Sequence, residues 1–489
     1  MLHPRFENTY ARLPARFYTR TEPTPVAAPR LIRFNAALAA ELGLEVDPGD
    51  EEGIAQALSG NRKLPGSEPL AMAYAGHQFG QFVPQLGDGR AILLGEVRGR
   101  DGSLRDIHLK GAGRTPFSRG GDGRAALGPV LREYLVSEAM TALGIPSTRA
   151  LAAVATGETV LREEPLPGAV LTRIAASHVR VGTFQYFAAR EDFDAVRTLA
   201  DYVIARHYPE IKSAANPYLE LLAAVMRRQA SLVARWMQVG FIHGVMNTDN
   251  FSVSGETIDY GPCAFLDVYD ANQVFSSIDS RGRYAYSNQP SIAQWNLVRF
   301  AETLLPRIDA KEERAVELAT ESINAFAARI DLEWLEGMRA KLGLPGQDPR
   351  DRDMAQSLLG IMQRTEADFT LTFRDLCSLA ESSATRTMGA LGEDEEFQAW
   401  LGGWRARCAS DPRSGAERAA AMRAVNPRYI PRNHRIEELI EAAAMSGNFA
   451  PFNTLLAVLA KPFDEQPEFA AYAAPPRPEQ RVAHTFCGT

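Results

Sequence analysis

The chain has 489 residues, 45% of them hydrophobic and 23% charged, which is ordinary for a globular protein and enough for roughly three domain-lengths and a large core. The net charge of −7 argues against a protein that binds nucleic acid through its overall charge. The sequence shows no apolar run of membrane-spanning length, no secretory apolar segment and no metal-type cysteine spacing, so we expect a cytoplasmic protein that binds no membrane.

Two stretches near the start of the chain carry recognisable patterns. Residues 31–42 have helical apolar spacing and end at Gly43, which predicts a helix. Residues 71–82 are dense in glycine and aromatic residues, which indicates a tight surface loop that leads into a sheet. His77 lies in this loop, and a single histidine there is more often structural than catalytic.

A glycine-containing turn follows. Gly87 and Gly89 flank an aspartate, and Arg90 precedes a predicted strand at 91–97. The glycines would let backbone amides approach a phosphate, and Arg90 would add positive charge. A plain hairpin turn has the same composition, so this turn alone leaves both interpretations open.

The next two elements occur in the order found in protein kinases. Residues 106–110 predict a strand ending at Lys110, and residues 129–143 predict a helix with Glu133 near its start. Lys110 and Glu133 could form the ion pair that orients a nucleotide phosphate. A surface lysine and an unrelated glutamate are the alternative, but the order of turn, strand and helix favours the pair.

The connection between these elements is rich in arginine and glycine. Residues 113–124 contain three arginines and four glycines, which indicates a flexible, cationic loop. Such a loop could fold over a polyphosphate, because arginine forms charge-assisted bonds to phosphate oxygens. A solvated basic loop is the alternative.

Two further arginines follow the next strands. Residues 150–161 predict a hairpin around Gly157, and residues 169–174 predict another strand. Arg173 lies at the end of that strand, and Arg180 lies where helical sequence begins. We expect both at a cleft, although arginines near a strand end are commonly just solvated.

A long helix leads to the most informative stretch of the chain, residues 243–261. Apolar residues at helical spacing predict this helix over 218–239, with Gly240 at its end. The stretch that follows concentrates polar residues in one short loop: Asn247, Asp249 and Asn250.

This loop is followed by a predicted hairpin at 251–258, which would bring Asn250 and Asp259 side by side. One carboxylate and one amide oxygen with open positions left over suit Mg²⁺, which keeps waters and takes further oxygens from substrate phosphates. The stretch therefore predicts a metal-assisted phosphate site.

The same stretch resembles the catalytic segment of protein kinases. His243 and Asn250 match the kinase His-Arg-Asp-x-x-x-x-Asn pattern, and residues 259–261 take the place of Asp-Phe-Gly. The kinase catalytic aspartate would fall on Val245, which cannot accept a proton. Asp249, beside the asparagine, is the nearest candidate for that role.

The rest of the chain is mostly helical by pattern. A polar loop to about residue 291 occupies the place of a kinase activation segment, and amphipathic helices fill residues 292–460. The sequence predicts helix breaks at 343–346, 402–403 and 427–431. The tail from Lys461 is proline-rich and predicted to be irregular.

Together these patterns predict an α+β, protein-kinase-like bilobal fold. Residues 1–175 would form an N-terminal extension and a sheet lobe with one main helix. Residues 176–489 would form a large, mostly helical lobe with the catalytic loop and an irregular tail.

The long motifs resemble those of the selenoprotein O family, also called SelO or YdiU. The matching segments are 75–80, 85–90, 109–119, 243–250 and 259–262. The resemblance implies a kinase-like fold that transfers AMP, rather than phosphate, from ATP to Ser, Thr or Tyr hydroxyls of protein substrates. It also implies that ATP binds reversed, with its γ-phosphate buried.

The resemblance also implies residue roles. Asp249 would be the proton acceptor, and Asn250 and Asp259 would bind Mg²⁺ or Mn²⁺. The nucleotide site would comprise Gly87, Gly89, Arg90, Lys110, Asp122, Gly123, Glu133, Arg173 and Arg180. Some bacterial members are described as UMP transferases that use UTP and Mn²⁺, so the nucleotide stays open.

Three expectations remain open alternatives. Cys487 stands where the family has a selenocysteine or cysteine, and a regulatory disulfide is a hypothesis for which Cys263 is the nearest partner in the activation-like segment. A kinase-type phosphotransferase and a nucleotide-binding scaffold without turnover are the rival functions. The oligomeric state is not encoded in any pattern, and a monomer is favoured.

Overall fold

The computed structural model describes residues 2–381 and 388–486. Over these residues the fold is mixed α+β, with strands concentrated before Ala175 and helices after Val181. In chain order the strands are β1 (Leu2–His3), β2 (Tyr18–Arg20), β3 (Arg30–Phe34), β4 (Glu45–Val46), β5 (Leu70–Met72), β6 (Gly76–Gln78), β7 (Gln81–Val83), β8 (Ala91–Arg98), β9 (Leu104–Lys110), β10 (Ala125–Ala126), β11 (Arg149–Leu161), β12 (Pro165–Ala175), β13 (Phe241–Ile242) and β14 (Ala264–Phe265).

The main sheet is antiparallel and places two predicted site residues on one face. Its strand order is β2-β5-β8-β9-β12-β11-β3, with β10 paired to β12. The β9–β12 register puts Lys110 opposite Leu171 and His108 opposite Arg173. Because side chains alternate along a strand, Lys110 and Arg173 lie diagonally across the same face.

The helices form most of the chain after the sheet. They are α1 (Ala36–Glu41), α2 (Glu51–Leu58), α3 (Leu127–Ala142), α4 (Val181–Ala188), α5 (Phe193–His207), α6 (Pro217–Val239), α7 (Gln289–Ile308), α8 (Glu312–Leu342), α9 (Asp351–Arg364), α10 (Phe369–Glu381), α11 (Ala390–Glu393), α12 (Glu395–Cys408), α13 (Gly415–Arg423), α14 (Asn433–Ser446), α15 (Ala450–Leu459) and α16 (Ala470–Ala473). Among the described residues, no helix has the length and apolarity needed to cross a membrane.

Two helices carry the chain to the site. α3 packs against β11 and β12 and holds Glu133 beneath the sheet, where this side chain is 1% exposed. α6 starts at a cap formed by the Asn216 side chain, which accepts the Leu219 N–H, and it ends at Gly240 with φ +73°. A left-handed residue at this position favours glycine and turns the chain sharply into β13.

The apolar core has three main parts. The largest joins one face of the sheet to α3 and to the helices from α4 to α8. A second lies among α8, α9, α10, α12 and α13, and a third covers the other face of the sheet beneath α1 and α2. The site therefore lies where a buried sheet face meets packed helices, so its side chains are held by rigid elements.

Several predicted elements are confirmed. The predicted helices at 129–143 and 218–239 correspond to α3 and α6, and the predicted strands near 91–97, 106–110 and 169–174 correspond to β8, β9 and β12. The break at 343–346 is also confirmed, because α8 ends at Leu342 and Gly343 has φ +65°. Residues 427–431 lie between α13 and α14, as predicted.

The single helix predicted over 31–42 is wrong. Arg30–Phe34 form β3, which pairs with β11, and α1 starts only at Ala36. Asn35 separates the two elements, since its side chain caps the helix by accepting the Leu38 N–H. Pairing with a neighbouring strand outweighs the local helical spacing here.

The hairpin predicted over 150–161 is also wrong. These residues belong to the continuous strand β11, which pairs with β12 on both sides of Gly157. Gly157 has φ +70°, and the register shifts between Ala155 and Thr159. The glycine therefore marks a bulge within a strand rather than a turn between two strands.

The break predicted at Gly402–Gly403 does not occur, because α12 runs without interruption from Glu395 to Cys408. Each glycine costs about 1 kcal/mol in a helix interior. Trp400 and Trp404 flank the two glycines, are buried in the core and stack with a 6.2 Å separation of ring centroids. Burial of such large rings outweighs the cost of the glycines.

Residues 71–82 are not a surface loop. Leu70–Met72 form the buried strand β5, and β6 and β7 form a small hairpin whose turn residues Phe79 and Gly80 have φ +51° and +85°. Two successive positive φ values are typical of a tight hairpin turn. This hairpin packs on α4 and on the short helical turn Thr248–Asn250.

Candidate functional site

A cavity of about 910 Å³ lies between the sheet and the helical part of the chain. Its lining brings together most of the predicted site residues: Gly87, Gly89, Arg90, Lys110, Asp122, Gly123, Arg173, Arg180, Asp249, Asn250 and Asp259. Glu133 does not line the cavity, but it bonds to two of the lining cations. Residues separated by about 170 positions in sequence therefore converge on one volume.

An ion-pair network forms one wall of this cavity. Glu133 pairs with Lys110 and accepts a 2.5 Å bond from Arg173 Nε. Arg173 Nη2 donates to Asp259 Oδ1 at 2.6 Å, and Arg180 Nη1 lies 3.2 Å from Asp259 Oδ2. Three cations therefore share two carboxylates, which leaves this wall with an excess positive charge.

The network sets the protonation of its members. Burial favours a neutral Asp259, but Arg173, Arg180 and Lys110 outweigh burial and hold the pKa of this carboxyl well below its usual range. Burial likewise opposes ionisation of Glu133, and Arg173 and Lys110 hold its pKa below the ordinary value. Burial lowers the pKa of Lys110, and the Glu133 carboxylate opposes that effect. Both carboxylates are therefore ionised at neutral pH.

Asn250 and Asp259 do not meet through a hairpin, as the sequence predicted. The two arms of 251–258 do not pair with each other; Ser252 bridges to Arg180 and Thr257 bridges to Ser147. Arg180 instead links the ends of the segment, because its Nη1 also donates to the Asp249 carbonyl oxygen at 2.9 Å. Residues 251–258 are therefore held by contacts to residues outside the segment, and not by pairing between its own two arms.

The donor set at these ends suits a divalent metal. The Asn250 side-chain amide donates to the Val245 carbonyl oxygen at 3.0 Å, which leaves the Asn250 Oδ1 atom available as a ligand. Asp259 has φ +61°, an unusual conformation for a residue other than glycine. No cluster of three or more His, Cys, Asp or Glu that could hold a metal occurs within the described residues. A hard cation here would bind Asn250 Oδ1 and the Asp259 carboxylate, and it would take its remaining ligands from water and phosphate.

The two oxygen atoms of the buried Asp249 carboxylate have different contacts. Asp249 lies in the short helical turn Thr248–Asn250, and Gln78 Nε2 donates to Oδ2 at 3.3 Å. Oδ1 is buried without a partner in the described structure and lies against Gly76, where any side chain would collide with it. Burial raises the pKa of Asp249 to about 6. The group is therefore mostly ionised at neutral pH and can accept a proton.

The hairpin β6–β7 contacts the polar loop of residues 247–250, and sequence analysis missed these contacts. His77 N donates to Thr248 Oγ1 at 2.7 Å, and Phe79 N donates to Asn247 Oδ1 at 3.0 Å. Together with Gln78, successive residues of the hairpin thus contact successive residues of the loop. The sequence feature that could have indicated these contacts is the polar pair His77 and Gln78 within residues 75–80, a stretch that we interpret from sequence as a surface loop.

His77 has a structural environment, in line with the interpretation from sequence. Its Nδ1 atom lies 2.9 Å from Gln185 Nε2, and its ring contacts Phe82 and Trp295. Burial lowers its pKa, so the ring is mostly neutral at physiological pH.

The arginine-rich loop closes another side of the cavity. Asp122 pairs with Arg162 at 2.9 Å, and this arginine holds the pKa of the Asp122 carboxyl below its ordinary value. Gly123 has φ +70° and lies against the backbone of Gly113, which leaves no room for a side chain. Arg114 and other arginines of this loop line the same cavity. The loop is therefore folded back on itself at the site.

The position of the kinase catalytic aspartate also lies in the cavity. Val245 is 6% exposed and lines the same volume as Asp249 and Asn250. An aliphatic side chain there supplies no proton acceptor. Asp249 lines the same cavity and carries a carboxylate, so it stays the candidate base.

Comparison with known proteins identifies the family. The family model described as protein adenylyltransferase SelO matches residues 1–460. The chain belongs to the SelO family. The resemblance inferred from the motifs is therefore confirmed, and so is the class of enzyme that it implied, a nucleotidyltransferase.

Relatives within the SelO family are similar over nearly their whole length. The chain is 64% identical over 486 residues to the protein nucleotidyltransferase YdiU of Rhizobium rhizogenes strain K84, with 99% of this chain and 97% of the relative covered. It is 60% identical over 487 residues to YdiU of Rhizobium meliloti strain 1021, with 99% of each covered. It is 60% identical over 490 residues to YdiU of Rhodopseudomonas palustris strain BisB5, with both chains fully covered.

The cysteine hypothesis taken from the SelO resemblance stays a prediction. Cys263, Cys377 and Cys408 are free and buried, and burial raises the pKa of the Cys263 thiol to about 12. Such a thiol is a poor nucleophile at neutral pH. Cys487 lies outside the described residues.

Proposed function

We propose that the protein transfers AMP from ATP to Ser, Thr or Tyr hydroxyls of protein substrates in a metal-dependent reaction. The observation that carries this proposal is the buried cluster of Lys110, Arg173 and Arg180, which exceeds its carboxylate partners by one charge. Such a cluster suits the terminal phosphates of a nucleotide. The acceptor chemistry then takes place at the α-phosphate.

The charge distribution of the cavity supports a reversed orientation of ATP. A kinase places the γ-phosphate beside its catalytic base, and Val245 occupies that place in this chain. If the terminal phosphates occupy the cationic wall, the α-phosphate lies nearer to Asp249. We assign the remainder of the nucleotide to the Gly87–Arg90 turn and to Asp122 and Gly123, which line the same cavity.

Asn250 and Asp259 are the residues that would hold Mg²⁺ or Mn²⁺. When bound, the metal would neutralise phosphate charge and stabilise the developing charge of the leaving group. Asp259 is bonded to Arg173 and Arg180, so a metal held by Asp259 would weaken these bonds, and both arginines could then bind phosphate oxygens. Lys110 would stay oriented by Glu133.

Asp249 completes the reaction as the base. The acceptor hydroxyl oxygen attacks the α-phosphorus, the bond from the α-phosphorus to the bridging oxygen breaks, and pyrophosphate leaves. The hydroxyl proton passes to the Asp249 carboxylate. Gln78 holds Oδ2 and Arg180 holds the Asp249 backbone carbonyl, so the base is oriented before substrate binds.

The fold supports a kinase-like division, which we propose as residues 1–175 and 176–489. β12, the last strand of the main sheet along the chain, ends at Ala175, and α4 begins at Val181. The cavity draws residues from both sides of this boundary. A nucleotide bound there would therefore contact both parts, as in kinases.

The mass added to an acceptor protein identifies the transferred group. A protein acceptor is incubated with ATP or with UTP, each with Mg²⁺ or Mn²⁺, and its intact mass is measured. We expect one adenylyl group per modified hydroxyl with ATP. A uridylyl adduct formed in preference with UTP would replace the AMP assignment, and no adduct under any condition would favour a nucleotide-binding scaffold.

A further inference from the structure

A cation–aromatic surface lies beside the hairpin β6–β7 and takes no part in the proposed chemistry. It consists of His77, Phe82, Arg283, Trp295 and Arg299. The guanidinium carbons of Arg283 and Arg299 lie 4.7 and 5.2 Å from the centroid of the Trp295 ring. Phe82 is 39% exposed, so the surface is open to a partner.

Arg283 is held in place by several contacts from the activation-like segment and the hairpin. Its backbone N–H donates to Asp279 Oδ1 at 2.9 Å, and the next N–H, of Tyr284, donates to Asp279 Oδ2 at 2.8 Å. Its guanidinium lies over the turn glycine, since a side chain at Gly80 would begin 3.7 Å from Arg283 Cζ. The cation is therefore fixed relative to the hairpin.

The positive charge of this surface is only partly neutralised. Arg299 pairs with Glu302 at 2.7 Å, whereas Arg283 forms no ion pair with any residue that the structure describes. Arg283 Nε is buried without a hydrogen-bond partner. An anionic side chain is the complement of this surface.

Hydrogen bonds fix the position of the cation–aromatic surface relative to Asp249, the candidate base. Tyr284, adjacent to Arg283, donates its hydroxyl to Asn247 Oδ1 at 2.6 Å, and Phe79 N donates to the same oxygen at 3.0 Å. Gln78, one residue before Phe79, contacts Asp249, and Gly80, two positions after Gln78 in the turn, lies against Arg283. Two residues span at most roughly 7 Å, so a side chain bound at Arg283 would lie within a few residues of a hydroxyl held at Asp249.

We propose that Arg283, supported by Trp295, binds an acidic side chain close to the modified hydroxyl of the protein substrate. The proposal rests on the proposed function and adds a substrate class to it: acceptor segments with Asp or Glu near the Ser, Thr or Tyr. Phe79 and Ile278 line the cavity, and the Phe79 ring packs against Tyr284, the neighbour of Arg283. Both side chains would contact the acceptor backbone.

The test is a charge exchange between enzyme and acceptor. Peptides with one central Ser, Thr or Tyr carry Glu, Gln or Lys at the three positions on each side, and transfer from α-labelled ATP is measured with Mg²⁺. We expect the parent to have a KM for Glu peptides roughly two- to fivefold below that for Gln peptides. Arg283→Glu should lose this preference and shift toward Lys peptides, with the KM for ATP unchanged.

Arg281→Glu is the matched control, because Arg281 is an exposed arginine two residues away in the same segment. It makes the same charge change and should keep the Glu preference. A Glu preference that survives in Arg283→Glu, or transfer by the parent that is equal for Glu and Gln peptides, overturns the proposal.

Binding separates this proposal from the proposed function. Fluorescence anisotropy of a labelled Glu peptide needs no turnover. Tighter binding to the parent than to Arg283→Glu supports the docking site, even if no peptide is modified. Absence of modification counts against the proposed transferase activity and not against the docking site. Equal binding to both proteins overturns the docking site.

Discussion

At the scale of single atoms, the contacts of the Asp249 carboxylate suit the role of general base that we propose for it. One oxygen is bonded to Gln78 and the other is buried without a partner in the described structure, and burial raises the pKa to about 6. A base is most effective when its pKa lies near the working pH. A raised pKa and a position in the cavity both support the proposed role of Asp249.

Asp249→Asn keeps the shape of the side chain and removes its ability to accept a proton. We expect transfer to fall by about 10²–10⁴-fold, the usual contribution of general-base catalysis. Nucleotide affinity should change by no more than a few-fold, because Lys110, Arg173 and Arg180 stay intact. Single-turnover transfer and calorimetric ATP binding measure the two effects, and undiminished transfer would remove Asp249 as the base.

Gly76→Ala tests the packing behind the base. An added Cβ at this position collides with Asp249 Oδ1, so the carboxylate must move. We expect kcat to fall roughly tenfold or more with the fold retained, since small displacements of a catalytic group are costly. Gly403→Ala is the control, because a Cβ there meets no atom within 4 Å. Equal activity of the two variants would show that Asp249 tolerates displacement.

At the scale of elements, the cations are placed by sheet register and helix packing. Lys110 and Arg173 lie on adjacent antiparallel strands, and α3 brings Glu133 to both. The sequence order of strand and helix was enough to predict the Lys110–Glu133 pair. It could not predict that Arg173 also bonds Glu133, because this contact depends on a strand register set by tertiary structure.

The same limit explains the elements that were predicted wrongly. Gly157 has the composition of a turn but forms a bulge, since β12 is present to pair on both sides of it. The segment 251–258 has the composition of a hairpin, but Arg180 and Ser147 are the partners of its two arms. Local sequence gives the backbone preference, whereas the partner strand decides the outcome.

Lys341 gives a stability test on α8 that is independent of the site. The side chain is 3% exposed, its Nζ donates to Asn426 Oδ1 at 2.8 Å, and burial lowers its pKa to about 7. Between about pH 7 and the unfolded pKa near 10.4, the unfolded chain binds a proton that the folded chain does not. Parental stability therefore gains from this group as pH rises through that window.

Lys341→Met removes this dependence. We expect the free energy of unfolding of the parent, relative to the variant, to increase by a few kcal/mol (roughly 1.4 kcal/mol per unit of pKa difference) between pH 6.5 and pH 9.5. Urea unfolding of both proteins at each pH measures it. Lys311→Met, at an exposed lysine just before the same helix, is the control. A pH-independent difference between parent and Lys341→Met would contradict the prediction.

At the scale of the whole molecule, the C-terminal tail returns to the site segment. Thr485 bridges to Ser276, and its hydroxyl donates to the Pro262 carbonyl oxygen at 2.6 Å, next to the Asp259–Gly261 motif. Thr485 N also donates to the Phe275 carbonyl oxygen at 2.7 Å. The tail thus fastens the activation-like segment at two points.

Thr485→Val keeps the size of this side chain and leaves the Pro262 carbonyl without its donor. Loss of one partner of a buried hydrogen bond costs about 1–3 kcal/mol. We expect faster amide hydrogen exchange in peptides that cover residues 273–279, with unchanged exchange in α6. Thr320→Val, on the exposed surface of α8, should alter neither region. Unchanged exchange at 273–279 in Thr485→Val would show that the tail does not hold the segment.

The most direct test of AMP transfer uses two parallel incubations with Mg²⁺ and a protein acceptor. One contains ATP labelled at the α-phosphate, and the other contains ATP labelled at the γ-phosphate. We expect the acceptor to retain label from the α position alone, and to lose it in Asp249→Asn. Label retained from the γ position alone would mean phosphoryl transfer, and would contradict the assignment of the cationic wall to the terminal phosphates.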